Sequence, residues 1–325
     1  MKAFANSLSL LLLGVLVTLA GTVVAQQTFP SKPIRIIVPY PPGGAMDPLA
    51  RLIGPKLTES WGQPVIVDNR PGGNSVIGTE VVAKSTPDGH TILIMGPGHI
   101  ITPLLIPTPY DAIKDFAPVV TLAGYPFVLL LNPSLPANTL QDFIALAKSR
   151  AGQLNYGSAG VGSIGHLGGE LLNGVAGIKM QHVGYKGTGQ ALTDVIGGQL
   201  QVLFSPPLIA IQHIKSGKLR AIAIGGDKRM SALPQVPTFT EAGLPGFEVK
   251  TWIGIVARAG SPKPIIDKLS TEITRIVAMN DFKERLDSQG LEAVVSTPEQ
   301  FAALMKAETL MWANLIKSEN IKAEH

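Results

Sequence analysis

Residues 154–172 read LNYGSAGVGSIGHLGGELL, the pattern of a strand end, a glycine-rich turn and the start of a helix. The turn, residues 157–163, contains no Lys, Arg, Asp or Glu. It therefore offers a ligand only backbone N–H groups, the hydroxyls of Ser158 and Ser163, and the positive end of a helix dipole. This composition indicates an anion cradle, although a tight turn whose glycines serve packing fits the pattern equally well.

Two nucleotide-binding motifs match this stretch only in part. Residues 160–165 fit GxGxxG, but residues 180–186 lack the acid that would hold a ribose, and Asp194 lies too far along the chain. Gly157 and Gly162 have P-loop spacing, but Ser163 stands where that loop needs a Lys. A glycine loop without fixed positive charge suits a small carboxylate better than a triphosphate.

The amino-terminal segment predicts export. The chain has 325 residues, no Cys and a net charge of +4. Lys2, the apolar run of residues 8–19 and the small residues before Gln26 are typical of a secretory signal peptide cleaved after Ala25. The run is too short to span a membrane. Without disulfides the exported protein depends on a hydrophobic core, for which its length is sufficient.

Composition and spacing also exclude several partners. The chain has no run of Lys and Arg and no interleaving of aromatic and basic residues, so we expect no nucleic-acid ligand. Its histidines do not have the spacing of metal ligands. We therefore expect neither a metal nor a cofactor.

The remaining chain alternates β-branched apolar runs with helical patterns, which predicts an α/β fold. Strands are predicted at residues 34–38, 65–69, 91–95, 128–131, 154–156, 181–185, 200–204 and 221–224. Gly- and Pro-rich loops follow several of these strands, and ligands of such sheets bind beyond the strand carboxyl ends. The strands form two α/β units. The extended segment 247–257 and the helices after it are expected to cover the first sheet, so that the first unit is discontinuous in sequence.

Helix starts are predicted from capping residues and from Pro in the first turn. Asp47 is predicted to cap a helix that runs to about Leu57, and Asn74 or Ser75 to cap a second one that ends near Lys84. Residues 96–99, GPGH, are predicted to be a loop, and residues 110–121 have no regular pattern. Further helices are predicted at residues 139–149, 189–196, 206–214, 262–279, 282–286 and 298–316.

Ser158, Ser163 and His166 leave a second class of function open, a secreted hydrolase. The serine elbow GxSxG is absent, because Tyr156 occupies its first Gly position. His166 falls on an apolar face of its predicted helix, beside Leu167. A packing or capping role is favoured over that of a general base, which needs a nucleophile and an orienting partner.

Segments spread over nearly the whole chain after the signal peptide resemble one family. They are KPIRIIVPYPPGGAMDPLARLI, GQPVIVDNRPGGNSVIGTEVVAKSTPDGHTIL, YDAIKDFAPV, LNYGSAGVGSIGHLGGELL, VGYKGTGQALTDVIGGQLQVLF, SGKLRAIAI, LPQVPTFTEAGLPGFEV and STPEQFAALMKAE. In this order they are similar to the Bug-type extracytoplasmic solute receptors of tripartite tricarboxylate transporters. Each segment is weak evidence alone, but together they are specific.

The resemblance implies a two-lobed periplasmic binding protein of type II, the Venus-flytrap kind. Each lobe would be an open, mixed or parallel sheet flanked by helices. After the signal peptide at residues 1–25, lobe 1 would comprise residues 26–124 and 249–325, and lobe 2 residues 125–248. The implied function is that of a monomeric receptor, not an enzyme, which captures a small organic carboxylate and delivers it to membrane transporter subunits. A ligand sensor for a membrane kinase remains an alternative.

The resemblance also implies a site made mainly of backbone groups and bridging waters. The expected ligand-binding residues come from one loop of each lobe, from the loop at residues 96–99 and from the end of a second-lobe strand. They are Tyr40, Pro41, Gly43, Gly44, Asp47, Gly98, Ser158, Ala159, Gly162, Ser163, His166 and Ser205. The family often has Asp after the residue equivalent to Phe204, and Ser205 stands there instead. The loss of that charge disfavours an amino-acid ligand and favours a plain mono- or dicarboxylate, aliphatic or aromatic.

Overall fold

The computed structural model describes residues 29–318 and Ile321. Its strands in chain order are β1 (Ile34–Val38), β2 (Val65–Asn69), β3 (Thr91–Met95), β4 (Phe116–Pro126), β5 (Val128–Leu131), β6 (Leu154–Ser158), β7 (Met180–Gly184), β8 (Val202–Ser205), β9 (Arg220–Ile224), β10 (Lys250–Arg258) and β11 (Glu292–Ala293). Its helices are α1 (Met46–Trp61), α2 (Val76–Ala83), α3 (Gly98–Leu105), α4 (Leu140–Ser149), α5 (Ile164–Ala176), α6 (Thr188–Ile196), α7 (Pro207–Lys215), α8 (Lys263–Val277), α9 (Asn280–Ser288) and α10 (Pro298–Ser318). The predicted signal peptide, residues 1–25, lies outside the described residues. The folded unit that carries both sheets begins at Lys32.

The strands form two mixed sheets. In sheet A the order is β11-β4-β10-β3-β1-β2, and in sheet B it is β7-β6-β8-β5-β9. Parallel pairing joins β1 to β2 and β3, and β6 to β7 and β8. The remaining strands pair antiparallel. We call the part of the chain built on sheet A lobe 1 and the part built on sheet B lobe 2.

Aliphatic and aromatic side chains form the core of each sheet. Ile36, Ile37 and Leu93 in sheet A, and Leu203 and Phe204 in sheet B, have no exposed surface. Strands covered on both faces need a continuous apolar run, which is why these short β-branched segments form central strands. Burial of each such side chain contributes about 1.5–3 kcal/mol. Helices α8 and α10 pack against β4, so the carboxyl-terminal helices cover sheet A.

The chain passes between the two sheets at one place, along two adjacent segments. Strand β4 continues into β5 through Phe127, and Val249 leads into β10. The Phe127 N–H donates to the Val249 carbonyl at 2.8 Å. Strands β4 and β10 pair antiparallel, with Tyr125 opposite Thr251. Crossings of this kind can absorb a rotation of the lobes without disturbing either core.

The predicted strands are present, with bounds that differ by no more than a few residues. Two elements differ in kind from the sequence prediction. A loop was predicted at residues 96–99, but residues 98–105 form helix α3. Pro97 takes the N-cap position, so the helix begins inside the predicted loop. Residues 116–126 form the long strand β4, where no regular pattern was found. Its pairing with β10 contains two register shifts, and Pro118 and Gly124 interrupt the apolar sequence that would have revealed it.

The predicted helix caps hold in part. Thr139 caps α4 through a capping box with Asp142, as expected of a Thr at that position. The prediction of Asp47 as an N-cap is wrong, because Ala45 takes that position and Asp47 lies in the first turn. There its carboxylate is paired with the guanidinium of Arg51 at 3.0 Å. Among the described residues, no helix is long and apolar enough to cross a membrane.

Candidate ligand-binding site

A cavity that is partly open to solvent is lined by residues from both lobes, and its space together with the adjoining open solvent is about 620 Å³. The walls are formed by loops and first helical turns that follow strands of both sheets, and by the two crossing segments. The lining residues are Tyr40, Gly44, Ala45, Met46, Gly96, Pro97, Gly98, Tyr125, Phe127, Ala159, Ser163, Ile164, Gly165, Gly187, Thr188, Pro206 and Thr251.

The amino-terminal ends of five helices meet at this cavity. The lining set includes the N-cap residues of α1, α3, α5, α6 and α7, which are Ala45, Pro97, Ser163, Gly187 and Pro206. Each of these helices follows a strand that has a parallel neighbour, so in each sheet the helix starts lie beyond the carboxyl ends of the strands, and both sets line this cavity. First-turn N–H groups have no partner within the helix and carry the positive end of the dipole. The wall is therefore electropositive.

None of the residues that line this cavity has a charged side chain. The polar side chains among them are hydroxyls, those of Tyr40, Tyr125, Ser163, Thr188 and Thr251. An anion here would be held by uncharged donors, which suits a ligand that must later be released.

The loop that carries Tyr40 is fixed by a side chain of the neighbouring strand β2. The Tyr40 carbonyl accepts a hydrogen bond from Asn69 Nδ2 at 3.1 Å, and Arg51 Nη2 donates to Asn69 Oδ1 at 3.1 Å. Burial raises the pKa of the Tyr40 phenol. Burial, with a smaller effect of Tyr40, also raises the pKa of Tyr125. Both phenols are therefore protonated near neutral pH and can donate hydrogen bonds.

Aromatic rings form the part of the cavity at the crossing segments. The rings of Tyr125 and Phe127 are stacked, with centroids 5.5 Å apart and planes inclined by 30°. Thr251 lies beside Tyr125 as its partner in the β4–β10 ladder. These residues give the cavity an apolar floor with a few hydroxyls.

A buried cluster behind the glycine-rich turn holds its backbone. The Gly162 N–H donates to His166 Nδ1 at 3.3 Å. Ser158 Oγ lies 2.6 Å from His182 Nε2 and accepts from the Gly160 N–H at 3.0 Å. The two imidazole rings are 4.2 Å apart. Burial lowers the pKa of His166 to about 4, and burial together with the nearby His166 lowers that of His182 to about 3. Both rings are therefore neutral at pH 7, which the acceptor role of His166 requires.

The predicted site residues fall into two groups. The first group lines the cavity and consists of Tyr40, Gly44, Gly98, Ala159 and Ser163. The second group lies outside the lining set and consists of Pro41, Gly43, Asp47, Ser158, Gly162, His166 and Ser205. For all of them a direct contact with ligand stays a prediction.

The second group has other contacts that explain its position. Pro41 and Gly43 face Gly187 and Gly189 of lobe 2 beside the cavity. Asp47 is paired with Arg51, and Ser158, Gly162 and His166 belong to the cluster behind the turn. Ser205 is fully buried, and its hydroxyl donates to the Pro206 carbonyl at 3.0 Å.

The sequence prediction did not name the other lining residues individually, although four of them, at positions 45, 46, 96 and 97, belong to loops that it assigned to the site. The other lining residues are Ala45, Met46, Gly96, Pro97, Tyr125, Phe127, Ile164, Gly165, Gly187, Thr188, Pro206 and Thr251. Two local signals could have found some of them. Gly187 and Thr188 repeat the strand, glycine and helix-start pattern, and Pro206 precedes a helix that begins with Pro207. Tyr125, Phe127 and Thr251 have no local signal.

The two sheets, the double crossing and the cavity that both lobes line are the architecture of a two-lobed solute-binding protein. The sequence matches the family model described as "Tripartite tricarboxylate transporter family receptor" over residues 49–321. The chain belongs to this family, which confirms the resemblance found in the sequence.

Relatives and solved structures agree with this family. The chain is 39% identical over 297 residues to a protein encoded in the tcbD-tcbE intergenic region of Pseudomonas sp. strain P51, covering 91% of this chain and 88% of that one. It is 35% identical over 318 residues to protein BugT of Bordetella pertussis, covering 96% and 98%.

Two similar structures were solved with carboxylates. Rpa4515 of R. palustris with adipate has a TM-score of 0.88 and 32% identity, covering 90% of this chain and 99% of that one. MatC (Rpa3494) of Rhodopseudomonas palustris with bound malate has a TM-score of 0.84 and 32% identity, covering 89% and 100%. The predicted fold class and solute-binding role are thereby confirmed.

Proposed function

We propose that this protein binds a small organic carboxylate in the cavity between its lobes and delivers it to membrane subunits of a tripartite tricarboxylate transporter. The observation that carries the proposal is the meeting of five helix amino termini at a cavity lined by no charged side chain. Two similar proteins, described with adipate and with malate, support the carboxylate class.

The magnitudes are adequate for reversible capture. A helix amino terminus stabilises an adjacent anion by about 0.3–1 kcal/mol at an exposed site and up to about 2 kcal/mol when partly buried. At the upper value, five such termini contribute about 10 kcal/mol, which is comparable with the roughly 8 kcal/mol that micromolar binding needs. Closure of the lobes would exclude water and strengthen each of these contacts.

The proposed lobes are residues 26–124 with 249–325, and residues 125–248. The strand membership of the two sheets supports this division, since β5 to β9 build sheet B and the other strands build sheet A. A carboxylate that touches both lobes would stabilise only the closed arrangement and so shift the population toward it. The closed surface would be what the membrane partner recognises.

A binding role without catalysis is supported by the contacts of the candidate hydrolase residues. Ser158 is fully buried, and its hydroxyl is engaged with His182 and with its own loop. Ser163 Oγ accepts the His166 N–H as a helix cap, while the His166 ring accepts the Gly162 N–H. These contacts serve local structure and leave no serine activated by His166.

Export to the periplasm as a monomer, after cleavage behind Ala25, completes the proposal. The motivation is the signal-like segment that begins at Lys2. The intact mass of the protein from the periplasmic fraction tests it, because a mature form that retains residues 1–25 contradicts cleavage at this site.

The test of binding is a thermal-shift screen followed by calorimetry, with adipate, malate, hexanoate, benzoate and 3-phenylpropanoate as probes. A ligand that binds only the folded state raises the melting temperature by mass action. We expect at least one of these anions to bind without being consumed. Failure of all of them, or turnover of ester or amide substrates, contradicts the proposal.

A further inference from the structure

We propose that the ligand is a monocarboxylate with an apolar body and no amino group. This inference rests on the proposed function and names the class of carboxylate. Its basis is the unequal distribution of hydrogen-bond donors and apolar side chains around the cavity.

Three glycines at helix starts offer backbone donors without side-chain bulk. Gly44 and Gly98 lie at the starts of α1 and α3, and Gly187 caps α6. The Tyr40 hydroxyl is close to the start of α3, since a Cβ built on Gly98 would lie 3.2 Å from it. Backbone N–H groups can approach an anion closely at glycines. This side suits one carboxylate.

The start of α7 offers fewer donors than any ordinary helix start. Its N-cap is Pro206 and its first residue is Pro207, and neither has a backbone N–H. Pro206 presents a hydrocarbon ring to the cavity, and only the N–H groups of Leu208 and Ile209 remain as donors in the first turn of α7. A second carboxylate placed there would lose its water and gain fewer hydrogen bonds than at a helix start without two prolines.

Apolar side chains continue this surface. Phe127 reaches the first turn of α5, since its Cε1 would lie 3.9 Å from a Cβ built on Gly165. The Met46 methyl group would lie 3.0 Å from a Cβ built on Gly96, so it covers the loop before α3. With the ring of Tyr125 stacked on Phe127, these groups form a wall that suits an aliphatic or aromatic body.

An ammonium group on the ligand has no anionic partner among the residues that line this cavity. No Asp or Glu is among the lining residues. Asp47 lies close by in sequence, but it is paired with Arg51 on the same helix. The converging helix termini would in addition repel a cation. Amino acids are therefore excluded by the same feature that attracts the carboxylate.

Calorimetry with two matched pairs of probes tests the inference on the mature wild-type protein. Hexanoate and adipate differ in the second carboxylate, and 3-phenylpropanoate and phenylalanine differ in the ammonium group. We expect hexanoate to bind at least about tenfold more tightly than adipate, and 3-phenylpropanoate at least about tenfold more tightly than phenylalanine. Equal or tighter binding of adipate or of phenylalanine overturns the inference.

The outcomes separate this inference from the proposed function. Binding of adipate or malate without binding of hexanoate contradicts the monocarboxylate and leaves the receptor function in place. Absence of binding by every carboxylate contradicts both.

A pair of variants tests the role of Pro206. Pro206→Ser adds an N–H and a hydroxyl at the N-cap position, where Ser is a favoured residue, and Pro206→Ala adds the N–H alone. We expect the preference for hexanoate over adipate to shrink in both, and more in Pro206→Ser. An unchanged preference in two folded variants contradicts the assignment of this wall.

Discussion

Gly189, in the first turn of α6, lies directly against the backbone of Gly43: a Cβ built on Gly189 would lie 3.1 Å from the Gly43 carbonyl oxygen. Gly187 lies against Pro41 in the same way: a Cβ built on Gly187 would lie 3.1 Å from Pro41 Cδ. These two contacts join lobe 2 to lobe 1 beside the cavity, which Gly187 lines. Closure of the lobes therefore depends on glycines, because a larger residue at 187 or 189 would collide with the loop of lobe 1. Pro41 and Gly43 contribute to closure whether or not they contact a ligand.

Alanine at Gly187 or Gly189 should weaken ligand binding by about tenfold or more, because its methyl group would press on Pro41 or Gly43 of lobe 1 when the lobes close. Neither glycine has a positive φ, so alanine introduces no backbone strain. The free protein should be as stable as wild type, or slightly more stable, since Ala favours the helix at position 189.

Gly197→Ala is the matched control for these two variants. Gly197 ends the same helix, and a Cβ there would meet only carbonyl oxygens of that helix, at 3.4 and 3.8 Å. Calorimetry gives the affinities and thermal unfolding without ligand gives the stabilities. Wild-type affinity in Gly187→Ala and Gly189→Ala would refute closure through this contact.

Gly162→Val should reduce binding far more than Lys186→Ala. Gly162 has a φ of +79°, and its Cβ would meet Thr102 Cα and Leu105 Cδ1 of lobe 1 at 3.3 Å. Valine is therefore strained in the turn and also obstructs closure. Lys186 is exposed and lies outside the cavity lining.

Calorimetry on both variants decides the comparison, with thermal unfolding as a check that each is folded. Intact binding by Gly162→Val together with abolished binding by Lys186→Ala would mean that the cation, and not the glycine turn, holds the anion.

The free energy of unfolding should fall in mild acid, because the two histidines behind the turn are buried in their neutral form. Burial lowers the pKa of His166 to about 4 in the folded state, below the ordinary value of 6.5. As the pH falls, the unfolded chain therefore binds a proton at His166 before the folded protein does. The contribution of neutral His166 to the free energy of unfolding is complete above pH 6.5 and is lost as the pH falls from 6.5 toward 4. Over this range the loss of unfolding free energy from His166 is roughly 3 kcal/mol.

Denaturant unfolding between pH 7 and 4.5 measures this effect. His166→Gln, which cannot titrate and keeps an oxygen that can accept the Gly162 N–H, should have a shallower loss of unfolding free energy than wild type. Equal slopes in the two proteins would show that His166 does not titrate abnormally.

A negative charge at Thr188 should abolish anion binding without harming the fold. Thr188 lines the cavity as the first residue of α6, where an acid stabilises the helix dipole. Two negative charges about 5 Å apart at an effective dielectric constant near 20 repel by about 3 kcal/mol, which weakens binding about a hundredfold.

Thr188→Val controls for the lost hydroxyl, since it keeps the shape and stays neutral. It should bind far better than Thr188→Asp in calorimetry with the same carboxylate. Similar affinities in the two variants would contradict an anionic ligand at this position.

The fold could be predicted from sequence where the signal is local. The β-branched runs of β1, β2 and β3 and the glycine turn before α5 are patterns of adjacent residues, and their bounds were close to those observed. Strand β4 could not be found in this way, because its extended conformation is imposed by pairing with β10 from a distant part of the sequence.

The site divides in the same way. Gly44, Gly98 and Ser163 were found because each lies in a glycine- or proline-rich loop after a strand. Tyr125 and Thr251 reach the cavity only because two crossing strands place them side by side. That placement is a property of the tertiary structure, and no pattern of neighbouring residues reports it.

Ligand should bring the lobes together in solution, and small-angle scattering can measure this. The only direct strand continuity between the sheets in the described chain is at Phe127, and the return passes through Val249 beside it, so rotation about these segments leaves both cores intact. A binding carboxylate stabilises the arrangement in which the helix starts of both lobes contact it, and should therefore reduce the radius of gyration.

Gly189→Ala makes this measurement specific, because its methyl group obstructs only the closed arrangement. At a ligand concentration that saturates both proteins, the variant should contract less than wild type, while Gly197→Ala contracts fully. A non-binding anion should leave all three unchanged. Identical scattering of wild type with and without a saturating carboxylate would rule out closure and leave a rigid, preformed pocket.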